Sequence, residues 1–392
     1  CFFMLTEHFH NTQKDTGHYS NDLRYVLSLQ NTIAAFEEIK TWEGYAKTPL
    51  HSLDSLASDI GVKNIYYKDE SSRFGLGSFK ALGGTYGVLK FIHHALKKEI
   101  GDEVSMKDIH AGKYSEQISK YTVTTATDGN HGRSVAFGAK LFGCKCQIYI
   151  HSEVSSGRQK AMEDLEATVN RVSGNYDESL QICIEDAGKN NWHVISDTSY
   201  EGYTKYPRYI MAGYNVMAEE IIDQIKDRPL PTHVFLQGGV GSFPGAICGY
   251  FWEKFPGNNI KFVVVESEHA PCLIRSAQNN QMTSVSIKQE TMMAGLSCGE
   301  PSLLGWEILK SGTDDFITIN DSSIPGLMRL LAKNNLKIEA GESSVAGLAG
   351  LIESMEDQKI AEAMGLNKES IVLLFGTEGA TDPEIYRSII SE

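Results

Sequence analysis

Four times in this chain a short β-branched or aromatic strand runs straight into a loop of glycines and hydroxyl residues. The strands are Asn64 to Glu70, Thr122 to Ala126, Thr232 to Leu236 and Ile371 to Phe375. Strands that end in such loops and resume as helices predict a mostly parallel sheet whose ligand-binding edge is the carboxyl end of its strands. The first loop, Ser71-Ser72-Arg73-Phe74-Gly75-Leu76-Gly77-Ser78-Phe79-Lys80, delivers one lysine to the start of a helix that runs to about Lys98. Gly75 and Gly77 let the backbone pass close to a ligand, and the small residues after Lys80 leave room above it. A lysine amine forms an imine with a carbonyl compound when burial or a neighbouring cation lowers its pKa enough to free part of it. Seen alone, Lys80 reads as a surface lysine at a turn; the other three loops decide otherwise.

Between them the pattern alternates. Strands at Thr122–Ala126, Cys146–Ile150, Ala167–Val172 and His193–Ile195 are separated by helices from Gly132 to Phe142, from about Gly157, and from Asp177 to Lys189. This predicts a compact parallel sheet with helices on both faces. Tyr209 to Ile225 reads as one long helix leading into a second α/β unit, with Thr232–Leu236 and Phe262–Val265 as central strands. Residues 1–45 read as a polar arm with a helix near Thr32–Thr41, and Gly101 to Lys120 as a surface insertion with one helical turn of its own.

A length of 392 residues, 41% of them hydrophobic, is enough for two or three domains. With 36 Lys and Arg against 50 Asp and Glu, a formal charge of -14 and no basic stripe, nucleic acids and anionic membranes are excluded as primary partners. The longest apolar runs are strand-sized, so no membrane span is expected. Cys1-Phe2-Phe3-Met4 lacks the basic flank of a secretory signal, and a chain opening on Cys1 is expected to lack its true start. Cysteines at 1, 144, 146, 183, 248, 272 and 298 show no zinc spacing, which fits packed thiols in a reducing cytosol. Cys272 and Cys298 flank a Met-rich segment, where a conditional disulfide is the lesser reading.

In Gln237-Gly238-Gly239-Val240-Gly241-Ser242-Phe243-Pro244-Gly245, glycines free backbone amides at a helix start. Such amides hold a phosphate without any lysine or arginine. The dinucleotide fingerprint spacing is not met, and a plain tight turn reads equally well for this loop alone. Ala126-Thr127-Asp128-Gly129-Asn130-His131-Gly132 places an asparagine that can donate to a phenolate-like oxygen, a histidine that reads as structural, and Asp128, either a helix N-cap or a functional carboxylate. Leu374-Phe375-Gly376-Thr377-Glu378-Gly379-Ala380-Thr381-Asp382 offers a hydroxyl, Thr377, or a carboxylate, Glu378 or Asp382, to a pyridine nitrogen. Glu339 to Gly347 opens a small-residue helix that reads either as packed tightly beneath a cofactor or as simply well packed.

Together these stretches resemble the fold-type II pyridoxal phosphate enzymes, the superfamily of the tryptophan synthase β-subunit and the serine/threonine dehydratases. Within it the chain is similar to the diaminopropionate ammonia-lyases, through Ala126 to Gly132, Asp197-Thr198-Ser199-Tyr200-Glu201-Gly202-Tyr203-Thr204, Ala294-Gly295-Leu296-Ser297-Cys298-Gly299-Glu300-Pro301, and Gly376 to Pro383. The resemblance implies two three-layer α/β domains with the cofactor, pyridoxal 5'-phosphate, between them. The larger would comprise 1–85 and 215–392, and the smaller 86–214, closing over substrate. It implies that Lys80 holds the cofactor covalently, Asn130 contacts its ring hydroxyl, Gly238, Gly239, Val240, Gly241 and Ser242 wrap its phosphate, and Thr377 sits near its ring nitrogen.

Where the dehydratases carry a small residue before the Gly-Asn-His of the second loop, this chain has Asp128. The resemblance places Asp128 and Asp197 where a substrate's second ammonium would bind. Lys80 would then serve as base for the L isomer of 2,3-diaminopropionate and Asp128 for the D isomer. The products would be pyruvate and two ammonia by way of aminoacrylate. A serine, threonine or 3-hydroxyaspartate dehydratase is the rival reading, and a pyridoxal phosphate-binding protein without turnover a weaker one. A cytoplasmic homodimer acting on a small amino acid is implied as well.

Overall fold

The computed structural model describes residues 5–15, 17–127, 129–174, 176–333 and 335–391. In chain order the strands are β1 (Glu7–His10), β2 (Leu50–Ser52), β3 (Asn64–Asp69), β4 (Thr122–Ala126), β5 (Lys145–Ile150) and β6 (Thr168–Arg171). They continue with β7 (His193–Val194), β8 (His233–Gln237), β9 (Lys261–Ser267), β10 (Asp315–Ile319) and β11 (Ile371–Gly376). The chain divides into two compact α/β units. One comprises Cys1–Phe79, Thr198–Glu201 and Tyr214–Glu392, the other Lys80–Asp197 and Gly202–Gly213. Among the described residues no helix is long and apolar enough to cross a membrane.

The first unit holds a seven-stranded sheet in the order β1-β10-β9-β8-β11-β3-β2. Its inner strands are parallel, and the edge strands β1 and β2 run antiparallel to them. Every residue of β8, β10 and β11 is buried, as expected of parallel strands covered on both faces. The helix Ala346–Glu356 lies close on this sheet because Gly350 has no side chain: a Cβ there would stand 2.8 Å from Ile317 Cδ1. Leu348, Leu351, Val265 and Phe235 fill the same core, each such side chain contributing about 1.5–3 kcal/mol on leaving water.

A buried ionic network sits at the end of β3, where the lysine loop begins. Arg73 donates to both carboxylate oxygens of Glu70, at 2.7 and 2.9 Å, and to both of Glu220, at 2.9 and 2.8 Å. Lys68 donates to Glu220 at 2.7 Å and to the Thr48 carbonyl at 2.8 Å. All four charged side chains are buried, and each is stable there only because its partners replace water. The network fixes the strand end from which Ser71 to Phe79 depart.

The second unit is built on a four-stranded parallel sheet, β6-β5-β4-β7. Two helices, Lys80–Ile100 and Asn130–Phe142, cross at close range. A Cβ at Gly84 would lie 1.8 Å from Ser134 Oγ, and one at Gly138 would lie 2.9 Å from the Thr85 Cα. Gly213 meets Leu82 and Gly83 in the same way, at 2.6 Å from the Leu82 carbonyl oxygen. The small residues after Lys80 therefore serve helix packing.

Three expectations are corrected. The N-terminal arm is not only helical: β1 joins the large sheet, with His8 Nε2 at 2.8 Å and His10 Nδ1 at 2.9 Å from the same oxygen of Asp315. The stretch Tyr209–Ile225 is two helices, Lys205–Tyr214 and Val216–Gln224, and at the break Asn215 donates to Thr32 Oγ1 at 3.0 Å. The insertion after Gly101 contains two short helices, Met106–His110 and Ser115–Ile118.

Candidate active site

In the second unit Lys80 opens its helix and forms an ion pair with Asp197, each side chain about four-fifths buried. The buried His131 approaches the same Asp197 oxygen, with Nδ1 3.8 Å from Oδ2. The His131 Nε2–H donates to the Ile195 carbonyl at 2.8 Å, which leaves Nδ1 without the proton. Among the described residues that nitrogen has no hydrogen-bond partner. Burial pushes the imidazole below its ordinary pKa despite Asp197, and Lys80 adds to the lowering. Burial alone would raise the Asp197 carboxyl, but the neighbouring His131 and Lys80 hold it well below the usual carboxylate range. The Lys80 ammonium thus favours the ionised form of Asp197 at the hydrogen-bond distance of an ion pair.

Asn130 is the first residue of its helix, as the loop pattern predicts. The loop before it is shaped by Thr127, whose hydroxyl accepts from the Gly129 amide at 3.0 Å and the Gly132 amide at 3.1 Å. This capping role was missed, although a threonine ahead of a helix start is a signal for it. Asp128, between the two, lies outside the described residues.

In the first unit β8 passes into Gly238, Gly239, Val240 and Gly241, and Ser242 begins the helix Ser242–Lys254. Pro244 falls in the first turn, where its missing N–H costs no helical bond. Gly239 and Gly241 have φ of +60° and +96°, a region that side chains disfavour. A Cβ at Gly238 would stand 2.5 Å from Glu266 Cγ, and one at Gly239 would stand 3.2 Å from the Gly295 carbonyl oxygen. Among the described residues the Gly239 and Val240 amides donate to no backbone carbonyl. Open amides, a glycine cradle and a helix N-terminus together fit a phosphate monoester.

Thr377 follows β11 and is buried, and its carbonyl accepts from the Phe79 amide at 3.1 Å. Ser78 bridges to Glu378, and the Gly379 amide donates to the Gly77 carbonyl at 2.9 Å. The residues leading into Lys80 are thus laced to the loop that carries Thr377. The two carboxylates weighed against Thr377 have structural work: Glu378 accepts from the Ser343 amide at 3.1 Å, and Asp382 from the Glu384 and Ile385 amides at 3.3 and 3.4 Å. Cys272 carries a free thiol, and its Sγ donates to the Gly239 carbonyl at 3.6 Å.

The family described as "Pyridoxal-phosphate dependent enzyme" matches residues 41–376. A diaminopropionate ammonia-lyase of Escherichia coli (strain K12) is 38% identical over 357 residues, 89% of this chain and 88% of that protein. The crystal structure of the Escherichia coli enzyme in complex with an aminoacrylate-PLP azomethine reaction intermediate superposes with a TM-score of 0.88 and 35% identity. It covers 100% of this chain and 98% of that one. The same enzyme in complex with D-serine gives a TM-score of 0.88 at 34% identity, with the same coverage.

Proposed function

The chain belongs to the family of pyridoxal-phosphate dependent enzymes, and on that premise we propose that it eliminates ammonia from D- and L-2,3-diaminopropionate to give pyruvate and two ammonia. Its likeness to diaminopropionate ammonia-lyase over about nine-tenths of both chains supports this substrate. Pyridoxal phosphate, when bound, supplies a sink for the electron pair left on the α-carbon. Lys80 would hold it through its amine. The amides of Gly238, Gly239, Val240, Gly241 and Ser242 would hold its phosphate. Asn130 would face its ring hydroxyl, and the hydroxyl of Thr377 its ring nitrogen.

The protein's own residues then divide the proton work. The Lys80 amine takes the α-proton of the L isomer, and Asp128 that of the D isomer. Asp197 offers the substrate's β-ammonium a charge-assisted acceptor. A β-nitrogen kept protonated until the carbon–nitrogen bond breaks leaves with the bonding pair as neutral ammonia. The observation that carries this reading is the Lys80–Asp197 ion pair. An ionised carboxylate suits a cationic leaving group, whereas a departing hydroxyl requires a proton donor.

The stoichiometry of products tests it. Diaminopropionate should yield two ammonia for each pyruvate; binding of cofactor with no pyruvate from any 2,3-diamino or 3-hydroxy amino acid would leave a protein without turnover. We also propose a cytoplasmic homodimer. The family likeness supports the dimer, and the free cysteines at 144, 146, 183, 248 and 272 support a reducing compartment. Light scattering on the purified chain should give twice the mass of one copy.

A further inference from the structure

Below the Gly238–Ser242 loop lies a carboxyl group that the proposed reaction does not use. Glu266, near the end of β9, is buried, and its two oxygens accept from two successive amides, Leu273 at 2.8 Å and Ile274 at 2.7 Å. These amides open the helix Cys272–Asn279, so that helix start faces Glu266 and is spent on it. The same helix props the loop from beneath. The Cys272 thiol donates to the Gly239 carbonyl, and Leu273 Cδ2 would lie 3.1 Å from a Cβ at Gly241. On the other side the Glu266 stem fills the space that a Cβ at Gly238 would need, and the Gly238 amide donates to the Val265 carbonyl at 2.8 Å. One side chain therefore joins the strand, the loop and the supporting helix.

We propose that Glu266 is a positioning residue for cofactor binding: by pinning the Cys272–Asn279 helix under Gly238, Gly239 and Gly241, it holds the loop in the shape that presents its amides to a phosphate. The inference rests on the reading of this loop as the phosphate site. A glutamine in its place has one accepting oxygen and one amino group that only donates, so one of the two helix amides loses its acceptor. Aspartate keeps the carboxyl group but is one methylene too short to reach both amides. Burial pushes the Glu266 carboxyl up to about 8; whatever charge it keeps would repel a phosphate, so charge alone predicts tighter binding in glutamine, the opposite of the result expected from positioning.

The test uses the full chain stripped of cofactor, titrated with pyridoxal phosphate and separately with pyridoxal, which has the same ring and aldehyde but no phosphate. Glu266→Gln and Glu266→Asp should each weaken pyridoxal phosphate binding by about tenfold or more and leave pyridoxal binding within about twofold. Tighter pyridoxal phosphate binding in Glu266→Gln would overturn the inference in favour of simple charge repulsion. Equal weakening of both ligands would overturn it in favour of general structural damage. Unchanged binding of both would also overturn it. If the unaltered protein binds pyridoxal as tightly as pyridoxal phosphate, the loop reading itself fails, a result the Glu266 variants cannot produce.

Discussion

Lys80 and Asp197 stand 117 residues apart in the chain and form an ion pair, one at the start of a helix and the other at the end of the second unit's main segment. The buried His131 stands 3.8 Å from the Asp197 oxygen that Lys80 pairs with, and against burial His131 and the Lys80 cation together hold the Asp197 carboxyl well below the usual carboxylate range, so it is ionised at neutral pH. A substrate with a second ammonium can take over that cation's place when the Lys80 amine is engaged elsewhere.

Asp197→Asn removes the charge while keeping size and hydrogen-bonding capacity. The expected outcome is a fall in kcat/KM for diaminopropionate of about 10²–10⁴-fold, with retention of the cofactor. Steady-state kinetics with both isomers checks it, and a change below threefold would remove Asp197 from the site.

Lys80→Ala should abolish the long-wavelength absorbance of a lysine-bound cofactor and reduce turnover to background. Pyridoxal phosphate should still associate, reversibly, through the glycine loop of the first unit. Gel filtration of the loaded variant followed by absorbance measures both. Full absorbance would show that another amine carries the cofactor.

Arg73→Met tests the buried network before the lysine loop. It leaves Glu70 and Glu220 without their shared guanidinium, and removing one member of a buried ion pair costs about 3–5 kcal/mol. A clear drop in Tm and in the urea midpoint is expected. An effect within the noise of a surface substitution would mean that Lys68 alone compensates Glu220.

Acid should weaken the first unit through His233 at the head of β8. Burial pushes its pKa down from 6.5 to about 4, despite the hydrogen bond from its Nε2–H to the Met364 carbonyl. In the unfolded chain the ring takes a proton at higher pH than in the folded one. Its contribution is therefore present above 6.5 and lost as pH falls toward 4. His233→Gln, which can still donate to Met364, should flatten the Tm profile over that window; an unchanged slope would assign the acid loss to other groups.

What the sequence made legible follows from local physics. Four strands ending in glycine loops announced a parallel α/β protein, and the loop before Lys80 placed that lysine at a helix start because turn and helix signals are short-range. What remained hidden depends on distant partners. Asn215 interrupts an apolar helical pattern two residues after Gly213, which reads as tolerated within a helix, and its partner is Thr32 from the N-terminal region. Residues Glu7–His10 lack strand composition and become an edge strand where Asp315 receives His8 and His10. Thr127 was passed over because the adjacent Asp128 is as good a cap by type, and only the fold shows which amides the threonine accepts. Glu266 follows the strand predicted at Phe262–Val265 and drew no reading of its own, because its two amide partners come from a later helix.

The most direct measurement is kcat/KM for D- and L-2,3-diaminopropionate beside D- and L-serine on the cofactor-loaded protein. Both diamino acid isomers should be turned over and each should exceed the corresponding serine isomer by at least about 100-fold, the scale on which leaving a site's buried charge unpaired is felt. A preference for serine or another hydroxy amino acid would keep the fold and the cofactor and contradict the role given to the Lys80–Asp197 pair.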